Sequence, residues 1–398
     1  MHATVCTPMA ASTSPNSRPD RAWRVLWGAQ AAAAVPGEDC GAPAYWRTVS
    51  GLGFRPAENL RGRAGWVSDG IVGYPITVHG GDPGGSYPVS LRTLYVRYPR
   101  NELDMLPGGG SRIAARLGLT VLDAILTGAG SEQTVQWNSW MLSTNPVPPG
   151  LPDSIPEVTR TLAREFPDHA IVLRNVDERC SPGLPARLRA AGYRLLAARI
   201  VHCFDARHGT LKDTSTLRRD RKELGDADGP EWVAPWDLLP ADAGRISELY
   251  RRLYLEKHSW LNPRYDESFV RAALRDHWLE FHGLRDRKGR LVGVFGLFSL
   301  DGLTTTVPFV GHDTSLPAGS GIYRRLFLRI HREVSRRRQL LNYSSGAGDF
   351  KRRRGSLPTV EFNAVYDRHL PPRRRMAFRF AELALNRLVQ PWLERVRL

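Results

Sequence analysis

The sequence predicts a mixed α/β protein in which a mostly antiparallel sheet is flanked by helices. In the second half of the chain, runs of helical spacing alternate with runs rich in β-branched residues. The first half shows a similar but less regular alternation. Hydrophobic residues make up 42% of the 398 residues, which is enough for a packed core. No apolar run approaches the roughly 18 residues that a membrane-spanning helix requires.

The second half gives the clearer pattern. Its order is helix, helix, strand, strand, strand, helix, strand, strand, helix, at 238–260, 265–280, 281–286, 290–300, 303–313, 317–338, 339–348, 359–367 and 376–396. Asp266 is a predicted N-cap of the second helix, and the letters RKG mark a tight turn between the first two strands. Antiparallel strands followed by a helix crossover predict a mixed sheet with helices on its faces.

The first half contains predicted strands at 90–103, 134–142, 169–176 and 193–206, and predicted helices at 108–130, 156–166 and 184–192. The alternation resembles that of the second half, but the halves share almost no aligned motif. We therefore predict a flexible tail at 1–20, a first domain at 21–207 and a second domain at 208–398. The polar connector between them carries a short basic helix at 216–224.

The chain is strongly basic, with 56 Lys and Arg against 40 Asp and Glu. A formal charge of +16 attracts polyanions such as nucleic acid, phosphorylated metabolites or an anionic membrane face. The alternative is compositional drift, since most of the positive charge is arginine in a chain rich in Ala, Gly and Pro. The basic residues cluster rather than spread, which favours a polyanion. The clusters lie at 218–222, 336–338, 351–354 and 372–375.

The four cysteines, Cys6, Cys40, Cys180 and Cys203, have no CxxC spacing. This pattern argues against a structural zinc and against a disulfide framework, and no metal site is predicted. The first residues lack the apolar segment of a secretory signal. Together these features predict a cytoplasmic protein without a transmembrane segment.

The stretch LNYSSGAGDFKRRRG at 341–355 raises a functional question. Gly346 and Gly348 allow a sharp turn at a strand end, from which Asp349 and Lys351 would project. Lys351 there would neutralise a phosphate or stabilise the oxyanion of an acyl transfer. The alternative is a solvated loop in which Lys351 only pairs with Asp349. For 352–354 we favour a solvated basic face.

An acyl transfer to an amine also needs a proton acceptor. Candidates at the open end of the sheet are His312, Asp313, Tyr343 and Glu361. His312 has the best position because it ends a strand beside the glycine-containing turn PAGSG at 317–321. Each candidate also has a structural alternative, as a surface histidine, a buried strand tyrosine or a carboxylate facing a neighbouring strand.

At these residues the second half resembles the GNAT acyltransferases, and in particular the tandem GNAT proteins of the Fem-type aminoacyltransferases and their CelD-like relatives. The likeness is carried by DRKGRLVGVFGLF, by AGSGIYRRLF, by LNYSSGAGDFKRRRG and by the basic helix STLRRDRKEL. It covers about 210–398 and is weak over 21–207. The resemblance implies two GNAT-like domains in tandem, with the first one degenerate.

The resemblance also implies a donor-binding turn formed by Gly319, Ser320, Gly321, Ile322 and Tyr323. Amide groups at a helix N-terminus attract a phosphate, and glycines let it approach. This turn departs from the GNAT pattern for the CoA pyrophosphate, because Ala318 replaces the usual Arg or Gln and Tyr323 replaces a small residue. The alternative is an ordinary loop with a glycine at a helix start.

Two functions follow from these expectations. The first is an N-acyltransferase that moves an acyl or aminoacyl group from acyl-CoA or aminoacyl-tRNA to an amine on a small molecule or peptide, with no tightly bound cofactor. The basic clusters and the altered turn favour tRNA as the carrier of the transferred group. The hypothesis of an acyl-CoA donor requires only the GNAT-like fold. The second function is a catalytically degenerate GNAT pair that binds a polyanion such as RNA.

Overall fold

Among the residues that the computed structural model describes, twelve strands form one continuous sheet. The described residues are 22–37, 40–51, 53, 55–81, 84–104, 110–207, 214–224 and 230–396. The strands are β1 Arg24–Trp27, β2 Arg63–Ser68, β3 Gly73–Gly80, β4 Gln133–Trp137, β5 Ala170–Val176, β6 Arg194–Asp205, β7 Glu231–Val233, β8 Glu280–Arg285, β9 Leu291–Ser299, β10 Thr304–His312, β11 Leu340–Asn342 and β12 Leu357–Tyr366.

The helices cover both halves of the chain. They are α1 Gly28–Ala34, α2 Gly41–Gly51, α3 Tyr98–Asp104, α4 Gly110–Gly128, α5 Leu151–Glu165, α6 Leu184–Ala190, α7 Ser215–Leu224, α8 Ala243–Tyr250, α9 Glu267–Arg275, α10 Ile322–Arg336, α11 Gly348–Arg352, α12 Pro372–Ala384 and α13 Gln390–Val396. Wider π-helical turns extend α8 over Arg251–Glu256, precede α3 at Thr93–Arg97 and join α12 to α13 at Leu385–Val389.

The strand pairing shows that the two halves repeat one topology. In the first half, β1, β2, β3 and β4 are antiparallel neighbours, and β5 then joins β4 in parallel. In the second half, β7, β8, β9 and β10 are antiparallel, and β11 joins β10 in parallel. The predicted mixed α/β fold is confirmed, and the internal duplication is visible in the topology.

The halves exchange their last strands. The sheet order is β1-β2-β3-β4-β5-β12-β6-β11-β10-β9-β8-β7. Thus β12, from the end of the chain, lies beside β5 of the first half, and β6 of the first half lies beside β11 of the second. The two exchanged strands pair with each other over nine registered residues, from Leu357 opposite Cys203 to Val365 opposite Arg194.

A shared core also joins the halves. Helix α2 of the first half and helices α8 and α9 of the second contribute to one cluster of buried residues. Within it, the Trp140 ring lies 5.7 Å from the Phe298 ring of β9. The division at 207/208 stays a prediction, because both the sheet and this core continue across it.

Helix α10 is placed over β9 by small residues on the strand. Ile322, Leu326 and Ile330 recur every four residues, which puts them on one buried face of the helix. A Cβ atom at Gly293 of β9 would lie 3.0 Å from Ile322 Cγ2, tighter than an ordinary contact. The glycine therefore lets the first turn of α10 sit close to the sheet, beside the end of β10.

Most of the predicted second-half elements are confirmed, and Asp266 caps α9 by accepting a hydrogen bond of 2.9 Å from the Phe269 amide. The strand predicted at 90–103 is wrong, since Thr93–Asp104 is helical. The predicted tail at 1–20 lies outside the described residues. The expectation against disulfides is wrong for Cys40, which is disulfide-bonded. Among the described residues, no helix has the length and apolar character needed to cross a membrane.

Candidate active site

The candidate site lies where β10 and β11 separate. These strands pair only from Thr304–Thr306 to Leu340–Asn342. Strand β10 then continues along β9 to His312, whereas β11 ends at Asn342. The segment 313–321, which leads into α10, and the segment 343–347, which leads into α11, therefore border a gap that we call the second-half cleft.

The predicted donor-binding turn borders this cleft, at the start of α10. Gly321 has φ +68°, a left-handed conformation that favours glycine, and Gly319 and Ser320 are exposed. The Ile322 side chain is buried in the core, so only its backbone amide can face a ligand. The Tyr323 ring lies 5.7 Å from the His312 ring and 5.0 Å from the Phe350 ring of α11. The structure thus brings the turn, His312 and α11 together across the cleft.

His312 has the properties of a proton acceptor. Burial and the nearby Lys257 ammonium lower the pKa of His312, so that its imidazole is neutral at pH 7. Its Nδ1 atom is buried and has no hydrogen-bond partner in the described part of the chain. A buried nitrogen without a partner costs free energy unless a ligand or water satisfies it. This atom is the best-placed base among the predicted residues.

Asp313, the next residue, has a structural role in the same turn. Its carboxylate accepts hydrogen bonds from Arg245 at 2.7 Å, from Arg252 at 3.1 Å and from the Ser315 side chain at 2.5 Å. These partners outweigh the effect of burial and hold the pKa of Asp313 well below its usual range. A permanently ionised, fully bonded carboxylate anchors the turn to α8 and is not a proton acceptor.

Lys351 is enclosed, contrary to the expectation that it projects from the rim. Its Nζ donates to the carbonyl oxygens of Tyr343 at 2.9 Å, Ser344 at 3.3 Å and Ser345 at 2.8 Å. Burial lowers the pKa of Lys351 to about 7, whereas three acceptors favour the ammonium form. The lysine therefore holds the end of β11 in place. Asp349 is exposed as predicted, and it pairs with Arg352 and not with Lys351.

Tyr343 is buried between the strand and α10. Its ring stacks on Phe327 at 4.6 Å, and its hydroxyl has no hydrogen-bond partner among the described residues. Burial raises the pKa of Tyr343 well above its usual value, so the hydroxyl remains protonated. Tyr343 can donate a proton from this position but cannot accept one at neutral pH.

Glu361 is not brought together with His312. It lies on β12 and is 1% exposed. Its carboxylate accepts a hydrogen bond from Arg199 of β6 at 2.8 Å and another from the Asn175 amide of β5 at 3.0 Å. The residue belongs to a buried ion pair at the exchanged strands.

The basic cluster at 351–354 is largely neutralised within the protein. Arg354 is 5% exposed, donates to the Asp220 carboxylate of α7 at 2.7 Å and stacks 3.6 Å from the centre of the Phe350 ring. This contact attaches the basic helix α7 to the rim of the cleft. The outer face of α7 remains charged, because Arg218, Arg219, Arg221 and Lys222 are exposed. A polyanion would meet this surface beside the cleft.

Two further features were not predicted from the sequence. Cys180 and Cys203 are 23 residues apart, yet their Sγ atoms lie 3.0 Å from each other. Asp177, whose Oδ2 is buried without a partner among the described residues, completes a group that could hold a metal ion. The strand pairing of β6 creates this group, so cysteine spacing could not reveal it.

A cavity of about 610 Å³ lies in the first half and is lined by residues that include Trp27, Gly28, Arg55, Arg63 and Met141.

Comparison with known proteins finds similarity to solved structures at low sequence identity. No protein-family model and no curated protein matches the chain. Among solved structures, the chain is similar to a tandem GNAT protein from the clavulanic acid biosynthesis pathway, with 13% identity over 86% of this chain and 98% of that chain and a TM-score of 0.39. It is also similar to FemX, with 10% identity over 53% and 75% of the two chains and a TM-score of 0.42.

A third similar structure is L-PGS from Bacillus licheniformis, with 12% identity over 58% of this chain and 79% of that chain and a TM-score of 0.42. The solved structures to which the chain is similar thus include a tandem GNAT protein and FemX, the two kinds of protein named by the predicted resemblance. At these identities the likeness concerns architecture, so the function has to be argued from the residues themselves.

Proposed function

We propose that the protein is an N-acyltransferase whose second half carries the reaction, with His312 as the base. The observation that carries this proposal is the half-buried, neutral His312 at the end of β10, whose buried Nδ1 atom has no hydrogen-bond partner among the described residues. It lies beside the N-terminus of α10, where backbone amides attract anionic groups. A proton acceptor and an anion-attracting helix end are the two parts that transfer from a phosphate-bearing donor requires.

The steps follow from this arrangement. The amide groups of Gly319, Gly321 and the first turn of α10 orient an anionic group of the donor, whereas the Ser320 amide already donates to the Pro317 carbonyl at 2.8 Å. The acceptor's ammonium gives a proton to His312, and its nitrogen then attacks the donor's carbonyl carbon. The bond from that carbon to the thioester sulfur or the ester oxygen breaks, the attacking nitrogen loses its second proton as the amide forms, and the leaving group takes up one proton. Tyr343 is a candidate relay, giving its hydroxyl proton to the leaving group and recovering one from the nitrogen, because its hydroxyl is protonated and has no partner among the described residues.

The donor is either acyl-CoA or aminoacyl-tRNA, and the acceptor is an amine on a small molecule or a peptide. The exposed cations of α7 favour a donor with many phosphates, and Tyr323 occupies space that the CoA pattern leaves to a small residue. Both observations support aminoacyl-tRNA over acyl-CoA.

Transfer from radiolabelled acetyl-CoA and from charged tRNA to a panel of amines tests the proposal. We expect transfer from charged tRNA, with a loss of about 100-fold or more in H312Q, which keeps a polar side chain of similar length. Unchanged turnover in H312Q would remove the base from the mechanism. Micromolar binding of acetyl-CoA without salt-sensitive binding of tRNA would reject tRNA as the donor's carrier.

The second candidate function is binding of a polyanion without chemistry. The observation that favours it is that the Tyr323 and Phe350 rings meet across the second-half cleft. Substituting Arg218 and Arg219 by Gln should then lower RNA affinity and reduce its dependence on salt. With fewer phosphate contacts, fewer counterions leave the RNA when the protein binds. If no donor supports transfer in the screen while this RNA binding persists, the binding function replaces the enzyme.

A further inference from the structure

Two neighbouring helices carry large apolar side chains on the side away from the core. On α4 these are Ile113, Leu117 and Val121, between 61% and 64% exposed. On α12 they are Met376 and Phe380, 59% and 55% exposed, and Leu383, 37% exposed. Leu388 and Trp392 continue the set after α12, at 74% and 60% exposure. We call these eight residues the outer apolar face.

The two helices lie side by side on the same face of the sheet. Leu122 and Leu126 of α4 share one buried cluster with Phe378 and Ala381 of α12 and with strand residues such as Val172. At 100° per residue, Leu117 and Leu126, or Phe380 and Phe378, point to opposite sides of their helices. The exposed apolar residues of both helices therefore point away from the core in the same direction and form one continuous surface.

Exposed apolar surface on this scale is unusual. Scattered single hydrophobic residues are normal on a protein surface, whereas contiguous patches mark a place where something binds. Six of the large hydrophobic side chains that are exposed in the described residues lie on α4 and α12 at helical spacing, and Leu388 and Trp392 follow them along the chain. An amphipathic helix normally buries its apolar stripe, but α4 and α12 each have one stripe in the core and another in solvent.

The charges around the face identify what covers it. Exposed or half-exposed arginines lie along both helices and their continuation, namely Arg112, Arg116, Arg373, Arg375, Arg379, Arg387 and Arg395. The carboxylates on these helices are fewer, and two of them are engaged, since Asp123 pairs with Arg92 at 2.9 Å and Glu382 with Arg194 at 3.1 Å. Glu394 is the remaining acidic residue. The partner must therefore be both apolar and anionic.

A second copy of the chain fits this surface poorly. A twofold contact would place the same face of each protomer against the other, and the arginines of both copies would then come together. Like charges at a desolvated interface oppose association. An anionic lipid layer instead offers phosphates at the depth of the arginines and acyl chains below them, where exposed leucine, phenylalanine and tryptophan side chains enter.

We propose that the outer apolar face docks on the surface of a membrane that contains anionic lipids. The helices lie in the plane of the headgroups and do not cross the bilayer, in agreement with the absence of a spanning helix among the described residues. Apolar side chains supply the burial, and the arginines select anionic headgroups. The proposal does not depend on the acyl-transfer chemistry, which lies at the second-half cleft.

Co-sedimentation of the full chain with vesicles tests this proposal. We compare vesicles of phosphatidylcholine alone with vesicles that also contain about 30% phosphatidylglycerol, at low and at physiological salt. Binding is expected only to the anionic vesicles, with weakening as salt screens the arginines. The double variant L117E/F380E should bind at least about tenfold more weakly, because a carboxylate at each position opposes both burial and the anionic surface.

Two controls keep the result interpretable. Leu303 is 54% exposed on the turn between β9 and β10, so L303E adds a carboxylate elsewhere and should bind vesicles like the wild type. The double variant R375Q/R379Q should lose preference for anionic vesicles while retaining the apolar residues. Thermal unfolding should be unchanged in L117E/F380E, L303E and R375Q/R379Q, since each substituted side chain faces solvent.

Three outcomes overturn the proposal. Wild-type binding to neither kind of vesicle excludes membrane docking, and equal binding by L117E/F380E removes the face from it. The third outcome is a concentration-dependent dimer, detected by light scattering during size exclusion, that forms in the wild type and is lost in L117E/F380E, while neither protein binds vesicles. The face would then be an interface between copies.

Discussion

The two halves share one strand order but differ at the gap that follows their fourth strand. In the first half, side-chain hydrogen bonds close the gap. The Asn145 backbone and side chain both donate to Asn175 Oδ1 at 2.9 Å, and Arg199 donates to the Ser143 carbonyl at 2.7 Å. In the second half, no hydrogen bond in the described residues joins the segment 313–321 to 343–347, and aromatic rings of α10 meet the other side instead, Tyr323 against Phe350 and Phe327 against Tyr343. A duplicated fold thus has one half in which hydrogen bonds close this gap, the sealed half, and one half in which they do not, the open half.

This difference explains why the candidate chemistry belongs to the second half. A gap fixed by several buried hydrogen bonds cannot open without leaving polar groups unpaired. Aromatic rings in contact can change rotamer at lower cost, since they leave no donor or acceptor unsatisfied. We therefore expect the first half to support the second, and the following predictions test that division.

The largest expected effect is on the sealed half. Replacing Glu361 by Gln leaves the Arg199 guanidinium buried without its ion-pair partner, and removing one partner of a buried pair costs about 3–5 kcal/mol. Urea unfolding measures the loss. The matched control is Arg187→Gln, since the Arg187–Asp153 pair is exposed and its loss should cost less than about 1 kcal/mol. Equal effects in the two variants would show that the buried Arg199–Glu361 ion pair contributes little to the free energy of unfolding.

The next largest effect concerns the base in the open half. Because the pKa of His312 is lowered from 6.5, the neutral, accepting form prevails above that value. The rate of transfer at low substrate should therefore rise with pH through an inflection below 6.5 and stay level to neutral pH. H312Q should lack this inflection as well as losing about 100-fold in rate, or about 2.7 kcal/mol. An inflection that persists in H312Q would assign it to another group.

Buried histidines in the two halves should respond differently to replacement by phenylalanine. His331 of α10 has both ring nitrogens unpartnered in the described residues, and burial lowers its pKa to about 3. The unfolded chain binds a proton below pH 6.5 while the folded one does not, so stability falls as pH drops from 6.5 towards 3. His331→Phe removes this loss and should be more stable than the wild type at pH 5 by about 2 kcal/mol.

The control for this variant is His79→Phe in the first half. His79 Nδ1 contacts the Arg61 carbonyl and Nε2 contacts Thr77 Oγ1, both at 2.9 Å. The substitution leaves those partners unsatisfied and should cost about 1–3 kcal/mol at pH 7. The idea fails if His331→Phe destabilises the protein at pH 7 as much as His79→Phe does, because His331 would then have a partner that the fold requires.

The smallest effect should come from the cleft itself. Tyr323→Ala removes the ring that lies between His312 and Phe350, and the space gained should strengthen binding of acetyl-CoA about tenfold, or 1.4 kcal/mol. Isothermal titration measures it, and Tyr323→Phe, which keeps the ring, is the control. Unchanged affinity in Tyr323→Ala would mean that the ring does not limit entry.

Local patterns in the sequence predicted the elements of the second half because its helices and strands have clear periods and caps. They failed at 90–103, where β-branched and aromatic residues favour a strand but Leu91, Tyr95 and Val96 pack in the core from a helix. They also missed α11, a helix of five residues. These errors arise where packing overrides local preference.

The candidate site was predicted only in part, because only some of its contacts join residues that are close in the sequence. His312 and the turn at 317–321 are local features, so their proximity followed from the order of elements. The inward direction of Lys351 depends on three carbonyl groups at the end of β11, and the Cys180–Cys203 contact depends on which strand lies beside β6. Neither can be derived from residue spacing, because strand exchange places distant segments together.

The exchange of β6 and β12 has a consequence during synthesis of the chain. A ribosome that has completed the first half has released β5 and β6, but β12, which must lie between them, begins only at Leu357. Until about nine-tenths of the protein has been made, both strands offer unpaired backbone groups, and the contacts that cover them span well over a hundred residues. Neither half expressed alone should therefore give a stable monomer, and nascent chains truncated before Leu357 should aggregate.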